Sequence, residues 1–153
     1  MRTSICVLLA ITITIFASCS KDDKIEQKSS VSLLTGKKWQ LTEIISIDST
    51  GKQDDLFSEL PEFEKDDYFL FNADSTYELN DNLQLRADSA DRIIDAGDWE
   101  IIEGNKILMA SNVFYTTYHP AEILEINENS LYVQRVFPTD KSTIRTRFRK
   151  IAD

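Results

Sequence analysis

His119 is the only histidine in this sequence of 153 residues, and it lies directly before Pro120. Histidine is the side chain best suited to acid–base catalysis near neutral pH, but its place beside a proline indicates an ordinary surface turn. The sequence has no glycine-rich phosphate loop, no serine in a nucleophile-elbow context and no histidine pair for zinc. We therefore expect a noncatalytic protein that uses no cofactor.

Four aspartates recur at spacings of three, four and three residues: Asp88, Asp91, Asp95 and Asp98. They would share one face of a helix, and in a loop they could converge on calcium. The alternating ligands, central glycine and closing glutamate of a calcium loop are missing. We expect a solvated polar segment over residues 86–97, and no metal site.

Six aromatic residues could line a cavity for a small ligand, as aromatic side chains do in binding barrels. They are Trp39, Phe69, Phe71, Trp99, Tyr115 and Tyr118. They could equally fill a core, because a barrel of about eight strands is wide enough either for side chains or for one small ligand. The alternation of residue types leaves this choice open.

Three arginines alternate with other residues near the end of the sequence, at Arg145, Arg147 and Arg149. On a strand their guanidinium groups share one face. An outward face would be solvated or paired with acids of a neighbouring strand, such as Glu122. The alternative is recognition of a carboxylate or a sulfated glycan, to which arginine is well suited.

A short apolar segment opens the sequence, running from Ile5 to Phe16 after the basic Arg2. It is too short to span a membrane, and it is followed by Ala17, Ser18 and Cys19. Residues 16–19 resemble the lipobox of bacterial lipoproteins, in which the cysteine is acylated before cleavage. An ordinary secretory signal is the alternative. We predict a signal peptide over residues 1–18 and anchoring in a lipid bilayer through acylated Cys19.

The residues after Cys19 predict where the lipoprotein is displayed. Ser20, Lys21, Asp22 and Asp23 resemble the export signal of surface-exposed Bacteroidota lipoproteins. We therefore expect an outer-membrane lipoprotein exposed on the cell surface, with a periplasm-facing position as the alternative. Residues 19–30 form the lipidated cysteine and a polar tether that is too poor in apolar residues to fold.

Short alternating runs between turn residues dominate residues 31–153, which we interpret as one domain. They predict an all-β, antiparallel up-and-down meander of about eight strands. One short helix or irregular crossing is expected near 54–65, where Pro61 should stop a longer helix. We also expect a brief strand at 83–85 and another at 113–118. Trp39, Leu41, Ile45 and Ile47 should share the inner face of the first strand.

Several motifs resemble the lipocalin-like domains of Bacteroidota lipoproteins. Gly36 and Trp39 match the opening G-x-x-W, and residues 71–77 are similar to an aromatic-x-x-Asp-Gly-x-aromatic hairpin in which Ser75 replaces the usual glycine. Segments at 97–99, 105–108 and 126–131 continue the likeness. The resemblance implies a closed lipocalin-like barrel whose base is plugged by Trp39. Gly36 should then take a positive φ or pack closely, and replacing Lys37 or Lys38 should barely change stability.

The net charge of −9 does not favour nucleic acid as a partner. Two functions remain open. The barrel could bind a small apolar or amphipathic ligand, at residues that the sequence does not identify. Alternatively, a barrel with a filled core could act as an interaction or accessory module for a protein or glycan partner.

Overall fold

A closed antiparallel β-barrel forms the structure, a computed structural model that describes residues 30–82 and 92–152. Residues 30–34 are helical (α1), and a second helix, α2, spans Glu62–Lys65. The strands are β1 (Lys38–Ile47), β2 (Gln53–Asp55), β3 (Tyr68–Phe71), β4 (Thr76–Asn80), β5 (Ile93–Ile102), β6 (Lys106–Ser111), β7 (Thr116–Thr117), β8 (Ala121–Ile126), β9 (Ser130–Val136) and β10 (Thr143–Ile151).

Eight of these strands close the ring, in the order β1-β3-β4-β5-β6-β8-β9-β10, and β10 then pairs with β1. This confirms the predicted all-β barrel. The two short strands lie outside the ring. β1 pairs with β3 only over Lys38–Gln40, and its later residues pair with β2. In the same way, β6 pairs with β8 near its start and with β7 near its end.

One end of the barrel, here called the base, is closed by Trp39 and Leu34, which are both fully buried. The indole Nε1–H of Trp39 donates a hydrogen bond of 2.8 Å to the Leu34 carbonyl. Gly36, between them, has φ +67°, and a side chain there would meet no atom within 4 Å. The positive φ therefore accounts for the glycine, and the predicted conformation at Gly36 is confirmed.

The turn between β3 and β4 also depends on a positive φ, and here the residue is Ser75, with φ 70°. Its N–H donates to the Asn72 carbonyl, and its own carbonyl accepts the N–H of Trp99 at 2.8 Å. Asp74 accepts hydrogen bonds from the N–H and hydroxyl of Thr76. The hairpin therefore forms with serine at the position where the resemblance expects glycine.

A bulge in β1 corrects the predicted inner face of that strand. Leu41 pairs with Phe148 and Glu43 pairs with Arg147, so Thr42 is an extra residue between them. An extra residue reverses the alternation of side chains beyond it. Ile44, and not Ile45, therefore faces the barrel interior.

The short helix expected near 54–65 is confirmed as α2, which follows the end of β2, and Pro61 precedes this helix as its N-cap. Other expected boundaries were wrong. The predicted strand 113–118 is a turn followed by the two residues of β7. The polar segment 86–97 ends early, because β5 already begins at Ile93. The predicted strand 83–85 lies outside the described residues.

Candidate functional site

A cavity of about 210 Å³ lies inside the barrel and is partly open to solvent. Four aromatic side chains contribute to its wall: Trp39 from β1, Phe69 and Phe71 from β3, and Phe148 from β10. Phe148 packs edge-on against Phe69, with ring centroids 5.8 Å apart. Aliphatic side chains from β1, β6, β8, β9 and β10 complete an almost entirely apolar surface.

The cavity occupies only one side of the barrel interior. No side chain of β4 or β5 lines it, and on that side Tyr77 and Trp99 are buried in contact with Phe71. Their rings fill the space between the strands. The barrel is therefore filled on the β4–β5 side and hollow on the β9–β10–β1 side. The sequence left open whether the aromatic residues line a cavity or fill a core, and this interior does both.

Among the described residues, Arg135 is the one charged residue that lines this cavity. It lies near the end of β9, on the same face as the inward residues Leu131 and Val133, because residues two apart on a strand share a face. Its Nε–H donates a hydrogen bond of 2.8 Å to the His119 carbonyl. Burial lowers the pKa of the Arg135 guanidinium, and the phenol of Tyr118 opposes that shift. We call this end of the barrel the mouth.

A buried carboxylate, Asp95, lies in the interior on β5. It accepts hydrogen bonds from the hydroxyls of Tyr77 at 2.8 Å, Tyr118 at 2.9 Å and Ser111 at 2.5 Å. Burial and the neighbouring Asp95 carboxylate raise the pKa of both tyrosines. The Ser111 hydroxyl also accepts the N–H of Phe114 at 2.8 Å, which fixes the turn after β6. Three hydroxyl groups from separate parts of the chain therefore converge on the Asp95 side chain.

Comparison with known families identifies the chain. Residues 16–131 match the family described as "Domain of unknown function (DUF5004)", and this span covers most of the sequence. The chain belongs to the DUF5004 family. No curated protein matches it. The lipocalin-like resemblance and the bacterial group stay predictions, whereas membership of DUF5004 and the eight-stranded barrel are established.

Three of the six aromatic residues predicted to line a cavity do so in this DUF5004 barrel. These are Trp39, Phe69 and Phe71. Trp99 packs in the filled half, with its Nε1–H donating to the Asn72 carbonyl. Tyr118 binds Asp95, and Tyr115 is 92% exposed, so neither lines the cavity.

Sequence reasoning missed Arg135 and Asp95 as interior residues. Arg135 had a usable signal, since it continues the alternation of Leu131 and Val133. Asp95 had none, because its hydroxyl donors come from β4, from β6 and from just after β7. Asp95 and Asp98 lie on opposite faces of β5, one buried and one exposed, so they do not converge on a cation. Asp88 and Asp91 lie outside the described residues.

Within the described ranges 30–82 and 92–152, no cluster of three or more histidine, cysteine or acidic side chains suited to a metal ion occurs. His119 packs edge-on against Phe137, and its carbonyl binds Arg135. These contacts give His119 a structural setting at the mouth.

The arginines of β10 face outward, because the residues that alternate with them line the cavity, but the partner expected for an outward face was wrong. Arg145 donates to Gln134, Arg149 donates to Gln40, and Arg147 lies 4.0 Å from Glu43 and over the ring of Tyr132. Glu122 does not pair with them, because it lies on β8 and the neighbours of β10 are β9 and β1. The three arginines of β10 therefore contact other side chains on the outer surface of the barrel.

The predicted lipidation site, Cys19, and the predicted export residues Ser20, Lys21, Asp22 and Asp23 lie outside the described residues. The family match begins at residue 16, so it includes all five of them. Among the residues that the structure describes, no helix has the length and apolar character needed to cross a bilayer.

Proposed function

We propose that this DUF5004 chain is a noncatalytic lipoprotein, anchored through acylated Cys19, whose barrel binds a small apolar or amphipathic ligand. The observation that carries the proposal is the apolar cavity inside the barrel. Small-molecule sites are concave, mostly apolar and supplied with a few polar groups. This cavity has all three properties, with Arg135 as its charged group.

The size of the cavity limits the ligand. An engineered apolar cavity of about 150 Å³ stays dry and binds benzene. A cavity of about 210 Å³ therefore suits a slightly larger molecule, such as a substituted monocyclic aromatic compound or a short acyl chain. Steroids and long-chain lipids would need the cavity to expand.

Filling the cavity tests this function. Val133 lines it, whereas Val136, on the same strand, is exposed. We expect Val133→Phe to abolish the binding of octanol measured by titration calorimetry, and Val136→Phe to leave it unchanged. Ile144→Phe, which fills the mouth, provides a second test if the first variant is unstable. Octanol binding that survives both filled variants, or no binding by the parent chain, contradicts the proposed function.

The membrane anchor is tested separately. We expect Cys19→Ser to lose both metabolic labelling by a fatty acid and membrane association, while the domain stays folded, because Cys19 precedes every described residue. Acyl label retained on this variant would contradict lipidation at Cys19.

Surface display depends in this proposal on Lys21, Asp22 and Asp23. Changing the three to alanine should keep the lipoprotein on the periplasmic side, so that protease added to intact cells no longer cleaves it. Changing Lys24 and Glu26 to alanine is the matched control, since it alters the same tether. If the protease cleaves both variants and the parent equally, the three residues are part of the tether and are not an export signal.

A second candidate function, an interaction module, is supported by the turn after β6. Phe114 and Tyr115 are 59% and 92% exposed there. The hydrogen bond from Phe114 N–H to Ser111 holds the turn in a defined shape. Exposed aromatic residues on a fixed backbone are typical of binding hot spots. A photocrosslinker at Tyr115 should give a discrete adduct on cells that the same group at exposed Glu100 does not give. Adducts at both positions, or at neither position, would count against this function.

A further inference from the structure

Arg135 is placed as the polar end of an otherwise apolar binding site. It follows Leu131 and Val133 on the inward face of β9, and its strand neighbours are Ala121 on β8 and Ile144 on β10. All of these residues line the cavity. The site therefore has an apolar interior that runs toward Trp39 at the base, and the described residues supply one cationic group to its wall, at the mouth.

The arginine is oriented by the protein and keeps part of its donor capacity. Its Nε–H donates to the His119 carbonyl, and its terminal Nη groups have no hydrogen-bond acceptor among the described residues. Among residues 30–82 and 92–152, no carboxylate forms an ion pair with Arg135. The outward arginines of β10, by contrast, bind Gln134, Glu43 and Gln40.

A half-buried guanidinium that has no anionic partner among the described residues is costly, because burial penalises the charged form. The lowered pKa of Arg135 is consistent with this cost. A bound anion would remove it. Carboxylates fit best, since two oxygens can accept two parallel N–H donors from the planar guanidinium.

We infer that Arg135 anchors the carboxylate of a short-chain monocarboxylate whose apolar tail occupies the barrel cavity. This inference rests on the proposed ligand-binding function and names its ligand class. The tail points toward Trp39, and the carboxylate stays at the mouth between β8 and β10. The free volume of about 210 Å³ restricts the tail to a short acyl or aryl group.

The test compares octanoate with octanol, which share a chain and differ in charge. Both are titrated into the parent protein, into Arg135→Gln and into Arg135→Lys by calorimetry, at neutral pH. Arg145→Gln is the control, since Arg145 lies on the outer face and binds Gln134. Circular dichroism and the urea midpoint establish that each variant is folded.

We expect the parent to bind octanoate at least tenfold more tightly than octanol, the range expected for hydrogen bonds to a charged group. Arg135→Gln should weaken octanoate binding at least tenfold more than it weakens octanol binding, so that the preference is lost. Arg135→Lys should retain part of the preference, since lysine keeps the positive charge but lacks the two parallel N–H donors of the guanidinium. Arg145→Gln should behave like the parent.

The outcomes separate the two proposals. If neither compound binds the parent, the ligand-binding function fails. If both bind and Arg135→Gln weakens octanoate no more than octanol, the barrel binds apolar ligands but the carboxylate anchor is refuted. If Arg135→Gln does not fold, the preference in Arg135→Lys decides: a preference for octanoate smaller than the parent's supports the anchor, and a preference equal to the parent's overturns it. If Arg145→Gln loses as much of the preference for octanoate as Arg135→Gln does, the carboxylate anchor is also overturned. The preference would then follow from the net charge of the protein.

Discussion

Replacing Trp39 with alanine tests the base of the barrel. Trp39 is fully buried, lines the cavity and donates a hydrogen bond of 2.8 Å to the Leu34 carbonyl. The indole therefore connects α1 to the ring of strands. Removing the indole takes away its apolar contacts. It also leaves the Leu34 carbonyl with no side-chain donor among the described residues.

The expected loss follows from these contacts. Truncating a buried Trp or Phe to alanine costs about 3–5 kcal/mol, and a buried acceptor left without its donor costs about 1 kcal/mol more. A loss of about 4–6 kcal/mol is a large share of the roughly 5–15 kcal/mol that stabilises a domain. With a urea dependence of about 2 kcal/mol per M, the midpoint should fall by about 2–3 M.

Equilibrium urea unfolding, followed by circular dichroism, measures this change. Trp39→Phe should lie between the parent and Trp39→Ala, since it keeps a ring and loses the hydrogen bond. Lys38→Ala is the control, because Lys38 is half-buried and its ammonium lies 5.3 Å over the ring of Tyr68, a contact worth about 0.5–1 kcal/mol. Lys37→Ala is a poorer control, since the Lys37 side chain is only 11% exposed and its ammonium lies 2.9 Å from the Glu128 carboxylate.

An unchanged midpoint for Trp39→Ala would refute the reasoning. So would the emission spectrum of an exposed indole from Trp39 in a Trp99→Phe background. Either result would mean that Trp39 does not close the base, and that the floor of the cavity must be assigned to other residues.

Three other variants are expected to change stability in defined directions, measured by the same urea unfolding. Gly97→Ala should destabilise by about 1–3 kcal/mol, because a Cβ would overlap the Ala110 carbonyl oxygen, and an unchanged midpoint would contradict this. Asp95→Ala should cost about 3 kcal/mol or more, since three hydroxyls lose their acceptor, whereas exposed Asp98→Ala should stay within about 0.5 kcal/mol. Ser75→Gly should stabilise by about 0.5–1 kcal/mol by relieving φ 70°, and any destabilisation would count against that strain.

The strand pattern was predictable because alternation is a local property. Tight hairpins such as β3–β4 and β8–β9 were read directly from short apolar runs and turn residues, and Gly36 and Trp39 marked the base. The bulge at Thr42 was not predictable, since Ile44 and Ile45 are both apolar and either could face inward. Only the pairing with β10 decides between them.

The candidate site was less predictable than the fold. The aromatic wall was anticipated in part, but cavity volume depends on how side chains pack across the ring, which alternation does not encode. Asp95 illustrates the difficulty, since a polar residue near the start of a strand looks like a loop residue until its three hydroxyl partners are assembled. Buried polar networks depend on residues that are distant in the sequence.

Pairing of β1 with β10 has a consequence for the order in which the chain can fold. The register joins Lys38 to Ile151, which are separated by nearly the whole described chain, so this ladder cannot form until β10 has been synthesised. Until then β1 and β9 each present an unpaired edge, and such edges invite association with other chains. Completion of the barrel is therefore a late, single event, and the interval before it is when the protein most needs protection from aggregation.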